Sequence, residues 1–175
     1  MLLGLSLRSA VSAGGSDEEV FPQDKPSLAL RKRKTTSMGR ALSYLKEKKV
    51  EALVSAGNTG ALMAMTKLIL RPMDGITRPA IASFFPSEKH PVCFLDLGAN
   101  AECNSENLLD FAVMGSTYYK VLYPQIDTKV ALLNIGSEEL KGNNLIQETH
   151  ELMKSDKRIK LPEKIGVPYK KGEIN

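Results

Sequence analysis

Apolar positions recur at helical spacing in four stretches, and short, nearly continuous apolar runs lie between them. Met38, Ala41, Leu42 and Leu45 fall at i, i+3, i+4 and i+7, which predicts a helix capped by Ser37 and ended by Lys46, Lys48 and Lys49. The acidic, Pro-punctuated stretch 16–26 before it reads as a loop. Ala52 to Ser55 is a strand candidate running into Gly57-Asn58-Thr59-Gly60. Ala61, Leu62, Met65, Leu68 and Ile69 then keep a helical stripe until Pro72. Further strands are expected over Ala80 to Phe85 and Val92 to Leu97, the latter running into Gly98-Ala99-Asn100. Ser105 is the expected cap of a long helix striped by Leu108, Ala112, Gly115, Tyr119 and Leu122, with Pro124 just past its end. Val130 to Ile135 is the last strand candidate, and Leu145, Ile146, Thr149, Leu152 and Met153 mark the last helix.

Short apolar strands alternating with amphipathic helices predict an α/β fold, with a mostly parallel sheet covered by helices on both faces. Residues 1–154 are expected to form a single α/β domain, and 155–175 a basic tail. In such a sheet the loops at the carboxyl ends of the strands line the ligand crevice. Gly57–Gly60, Gly98–Asn100 and Gly136–Asn143 are expected to share that edge.

Composition narrows the classes of function. A chain of 175 residues with 42% hydrophobic and 25% charged residues has the make-up of a globular domain. Aromatics reach 6% with no Trp, which leaves little material for a base-stacking platform, and no apolar run approaches a membrane span. Lys25 to Lys49 carry nine basic residues and one acidic one, against a net charge of +4 for the whole chain. Such asymmetry suits an acidic partner at one surface, or simply a solvated basic face; a nucleic-acid-binding role is not expected. The first fifteen residues are mildly apolar but lack a basic start and are interrupted by Arg8, so a secretion signal is not expected. Cys93 and Cys103 form no disulfide framework and, with only His90 and His150, no zinc spacing, so reduced thiols, a cytoplasmic location and no metal are expected.

The three glycine loops hold the candidate chemistry. The first offers Gly57, Asn58, Thr59 and Gly60 at a helix start, where unpaired N–H groups can meet an anion. The same residues also suit a tight turn with Asn58 as its cap. The spacing fits neither the dinucleotide fingerprint nor a P-loop, which leaves a nucleotide-binding domain resting on layout alone. The second loop places Asp96 beside Asn100 and Glu102, either to orient a substrate or to pin its own turn. The third carries Lys141, a point charge suited to phosphate, next to Gly142 and Asn143. No nucleophile elbow is present, and neither cysteine has activating surroundings, so anion binding and positioning remain.

Six segments occur in order: KPSLALRKRKTTSM (25–38), VSAGNTGALMA (54–64), GITRPAIA (75–82), LDLGAN (95–100), FAVMGSTY (111–118) and LLNIGSEELKGN (132–143). Together they resemble the bacterial acyl-ACP:phosphate acyltransferase family, PlsX, over about 19–153. The resemblance implies a Rossmann-like fold related to phosphotransacetylases and isocitrate dehydrogenase. It implies attack of inorganic phosphate on the thioester of acyl carrier protein, giving an acyl phosphate for phospholipid synthesis without a cofactor. A homodimer is implied, peripherally associated with the membrane beside the downstream glycerol-phosphate acyltransferase.

On that resemblance Lys141, Asn100 and Asn143 are the expected catalytic residues, with Gly57, Asn58, Thr59, Gly60 and Asp96 around the substrate. Arg31, Lys32, Arg33, Lys34 and Arg40 are the expected docking surface for the acidic carrier protein. Family members are about twice this length, begin with a DAMGGD-type motif and continue into a second half. The chain is therefore read as a truncated member with an incomplete sheet. The alternative to an acyltransferase is a catalytically incomplete fragment that only binds acyl carrier protein or a partner subunit.

Overall fold

The computed structural model describes residues 18–134, 144–162 and 166–168, and the chain divides into two compact units between Met73 and Asp74.

The first unit is helical. Pro26–Arg31 form α1, Ser37–Lys46 form α2 and Thr59–Ile69 form α3. α1 opens on Pro26, whose fixed φ and missing N–H suit a first helical turn. The cap of α2 is Thr36, not the expected Ser37: its hydroxyl accepts from the Gly39 N–H at 3.3 Å, and it is fully buried. Ala29, Met38, Leu42, Ala61 and Met65 make the core, flanked by Val20, Leu30, Leu53, Leu62, Ile69 and Leu70. The stretch expected as a strand, Ala52 to Ser55, forms none. A strand needs a ladder partner, none pairs with it among the described residues, and Val54 is 97% exposed.

The second unit is mixed α/β. Ala82–Phe85 form β1 and Val92–Leu95 form β2, an antiparallel pair in the register Ala82↔Leu95 through Phe85↔Val92. These two strands depart from the expected parallel pairing for a physical reason. Only 86–91 connect them, whereas a parallel crossover takes about a dozen residues or more. Ser105–Leu122 form α4, Leu132–Asn134 β3, Asn144–Ser155 α5 and Gly166–Pro168 β4. β3 and β4 pair in parallel, with α5 lying between them in the chain, so this part does form a βαβ unit.

α4 packs on α5 and on β2. Its face toward α5 sets Ala112 against Met153 and Ile159, with Leu109, Val113, Val130, Leu132 and Leu161 around them. Ile159 and Leu161 lie in the stretch read from sequence as a tail, yet they pack in this core. On the hairpin side, Tyr119 is buried and donates its hydroxyl to the Pro91 carbonyl at 2.8 Å. Phe84 meets Tyr118, Tyr119 and Tyr123 at ring-centroid distances of 5.6, 6.1 and 6.0 Å. None of the described helices is long and apolar enough to cross a membrane.

Candidate active site

In the first unit the glycine loop is built around Asn58. Its Oδ1 accepts from the Ala61 N–H at 2.9 Å and caps α3, as one sequence reading expected. Its Nδ2 lies 3.1, 3.0 and 3.0 Å from the carbonyl oxygens of Phe21, Pro22 and Asp24. One side chain therefore starts α3 and ties the chain before α1 to it. The N–H groups of Thr59 and Gly60, the first two of α3, take no acceptor among the described residues. Both loop glycines are exposed, yet each has a close neighbour where a side chain would begin. A β-carbon on Gly57 would come within 3.2 Å of the Met38 methyl, and one on Gly60 within 3.3 Å of Pro26 Cγ.

The basic turn between α1 and α2 is also ordered. Thr35 Oγ1 lies 2.7 Å from Glu18 Oε2 and 3.0 Å from the Lys32 carbonyl, so its one hydrogen is shared between two acceptors, and Lys32 pairs with Glu18 at 3.8 Å. The Arg33 guanidinium turns back to the Leu30 carbonyl at 3.0 Å and is half-buried. Arg31, Lys32, Lys34 and Arg40 are exposed.

In the second unit Asp96 and Asn100 are brought together. Asp96 Oδ1 accepts from the Ile81 and Ala99 N–H groups at 2.9 and 3.2 Å. Its Oδ2 accepts from the Asn100 N–H at 2.9 Å and from Asn100 Nδ2 at 3.1 Å. Burial pushes the carboxyl up, but the four hydrogen bonds from Ile81, Asn100 and Ala99 outweigh it and hold its pKa below the ordinary aspartate range. Gly98, at φ +83°, supplies the left-handed residue this turn requires. The second Asn100 amide hydrogen goes to the Pro79 carbonyl at 3.0 Å. With both hydrogens taken by fixed acceptors, the group Asn100 has left is its carbonyl oxygen, so toward a ligand it can accept but not donate.

Residues that sequence reasoning missed fasten Thr77 and Arg78 to the start of α4 and the loop before it. Asn104, not the expected Ser105, caps α4: its Oδ1 accepts from the Asn107 N–H at 2.9 Å, and Asn107 Oδ1 accepts from the Asn104 N–H at 3.2 Å. Asn107 Nδ2 reaches Thr77 Oγ1 at 3.0 Å. Thr77 gives its N–H and its hydroxyl to Asp110 Oδ2 at 3.0 and 2.9 Å, and Arg78 Nη1 reaches the Glu102 carbonyl at 2.8 Å. The Asn-x-x-Asn spacing at a helix start was the available signal, a variant of the capping box.

Lys141 and Asn143, with the whole third loop, lie outside the described residues. The first loop belongs to the first unit and the second loop to the second unit. Burial pushes the Cys93 thiol up, which keeps it protonated and unsuited to nucleophilic attack. No group of three or more metal-ligating side chains gathers among the described residues.

The family model described as fatty acid synthesis protein matches residues 6–164. The phosphate acyltransferase of Pelagibacter ubique (strain HTCC1062) is 49% identical over 128 residues, 73% of this chain and 38% of that protein. That of Shewanella sp. (strain W3-18-1) is 46% identical over 154 residues, 87% of this chain and 45% of that protein. That of Wolbachia pipientis wMel is 48% identical over 138 residues, 79% and 40% of the two chains. The chain thus spans less than half the length of these relatives.

Proposed function

The chain belongs to the fatty acid synthesis protein family, and from that premise we propose that it transfers a fatty acyl group from acyl carrier protein to inorganic phosphate. The observation that carries this reading is the match over residues 6–164, together with relatives named phosphate acyltransferase. The product is an acyl phosphate, which feeds phospholipid synthesis.

The reaction needs no protein nucleophile. A phosphate oxygen attacks the thioester carbonyl carbon, the carbon–sulfur bond of the resulting tetrahedral adduct breaks, and the carrier's thiolate leaves and takes up a proton. The protein's task is to hold two anionic reactants together and to neutralise developing charge. Lys141 contacts the phosphate or the thioester oxyanion as a point charge. Thr59 and the Gly57 and Gly60 backbone hold an oxygen at the start of α3, with Asn58 fixing that start. Asn100 presents its carbonyl oxygen to a hydrogen-bearing group, such as the P–OH of hydrogen phosphate, with Asp96 behind it, while Asn143 orients the second reactant. Arg31, Lys32, Arg33, Lys34 and Arg40 receive the acidic carrier protein.

The β3-α5-β4 unit supports a Rossmann-like sheet as the larger architecture. Under this reading the protein works in the cytoplasm as a homodimer at the membrane surface, handing acyl phosphate to a glycerol-phosphate acyltransferase. The test is phosphate-dependent formation of acyl phosphate from palmitoyl-acyl carrier protein by the purified chain. Turnover that disappears in Lys141→Ala supports the reading, and a folded chain without turnover refutes it for this chain.

A further inference from the structure

Thr77, Arg78 and Pro79 make a contact at every residue. Thr77 is fastened to α4 by three hydrogen bonds, two to Asp110 Oδ2 and one from Asn107 Nδ2. Asn107 is 5% exposed and is itself held in the capping pair with Asn104. Arg78 is tied to the Glu102 carbonyl. The Pro79 carbonyl takes the Asn100 amide hydrogen that Asp96 does not. The link from Thr77 to Pro79 is stiff, because Pro79 fixes its own φ and its ring keeps Arg78 out of the helical region. A short strut therefore runs from the first turns of α4 to the Asn100 carboxamide.

We infer that Thr77 is a positioning residue for Asn100: its hydroxyl, clamped between Asn107 and Asp110, sets the Pro79 carbonyl that fixes which way the Asn100 amide faces. The catalytic consequence rests on the proposed acyl transfer, but the positioning itself does not. The hydroxyl acts as donor and acceptor at once, so the isosteric Thr77→Val removes both bonds while keeping the N–H to Asp110. Thr77→Ser keeps all three.

Hydrogen exchange of the Asn100 side-chain amide, read by NMR in the full chain, tests the clamp directly. Thr77→Val is expected to speed that exchange about tenfold, the scale of one lost hydrogen bond, with the 96–100 backbone amides following. The helical amides of α5 should stay unchanged, and Thr77→Ser should restore wild-type exchange. Unchanged Asn100 exchange in Thr77→Val overturns the inference, as does equal acceleration throughout the second unit, which marks plain destabilisation. If Thr77→Val does not fold, Pro79→Gly softens the strut without touching the Thr77 contacts. The same local acceleration is expected there, and its absence counts against the clamp. In the acyl phosphate assay, Thr77→Val should lower kcat by about the same factor more than it raises KM for phosphate, with Thr77→Ser rescuing. A wild-type chain without turnover refutes the acyl-transfer reading while the exchange data still decide the positioning.

Discussion

Gly39 in α2 and the carbonyl oxygen of Arg33 lie so close that a β-carbon built on Gly39 would sit 1.7 Å from that oxygen and 2.6 Å from the carbonyl carbon. The obstacle is backbone, so no rotamer change relieves it. The basic turn folds against the first turn of α2 because position 39 carries no side chain.

Gly39→Ala is therefore expected to destabilise the first unit by about 3 kcal/mol or more, at the upper end for overpacked sites. Gly115→Ala in α4 should do the reverse. Its new methyl would meet Leu95 Cδ1 at 3.7 Å, an ordinary contact, and alanine in a helix interior gains about 0.5–1 kcal/mol over glycine. Urea unfolding of both variants checks the pair, and equal effects would contradict the packing described.

Asn58 separates a capping role from a bracing one. Asn58→Asp keeps an oxygen for the Ala61 N–H but places a carboxylate against the carbonyls of Phe21, Pro22 and Asp24. At an ordinary N-cap the two residues are about equivalent. Here Asn58→Asp should cost about 1 kcal/mol or more at neutral pH, since an acceptor replaces a half-buried donor, and less once the carboxyl protonates in acid. A near-neutral result in thermal unfolding at pH 7 would mean that the three carbonyl contacts carry no stability.

Which parts of this were legible in the sequence follows from the range of the interactions. The stripes of α2, α3, α4 and α5 were readable because Met38 and Leu42, or Ala112 and Tyr119, repeat within one helix. The caps slipped by one residue: Thr36 and Ser37 are adjacent capping types that local chemistry does not rank, whereas the Asn104-x-x-Asn107 spacing did favour Asn104 over Ser105. α1 is one turn and a half, too short for a stripe. The antiparallel turn of the hairpin was legible in principle, from the short 86–91 connection. Ala52 to Ser55 had the composition of a strand, but pairing depends on residues far away in the chain. The Thr77, Asn107 and Asp110 contacts join segments about 30 residues apart, and no single-residue pattern announces them.

The Asp96 turn predicts a pH dependence with a definite sign. Its folded pKa is depressed, so its contribution is fully present above the unfolded aspartate value, about 3.9, and is lost as pH falls through the folded value. Asp96→Asn should destabilise the second unit at pH 7 and flatten the acid limb of its stability profile. Asp156 is also depressed, to about 2 beside Arg158, with its side chain largely covered, while Asp127 and Glu151 are depressed in exposed pairs with Lys160 and Lys154. High salt screens such pairs, so the Asp96 share should persist in high salt while theirs shrinks. An acid limb identical in wild type and Asp96→Asn would refute the assignment.

The basic turn should not act as a uniform charge cloud. Arg33 is engaged with the Leu30 carbonyl and Lys32 with Glu18, while Arg31 and Lys34 are exposed at the two ends of the turn. If carrier protein docks here, Arg31→Ala and Lys34→Ala should each raise KM for acyl carrier protein several-fold, the scale of a rim charge of up to about 1 kcal/mol. They should leave kcat and thermal stability near wild type, and their effect should fade as salt rises. Arg33→Ala should instead lower stability, because it removes packed side chain and a contact that closes α1. A carrier-protein KM indifferent to Arg31 and Lys34 would move docking to another face, and the ordered turn would then serve the fold of the first unit alone.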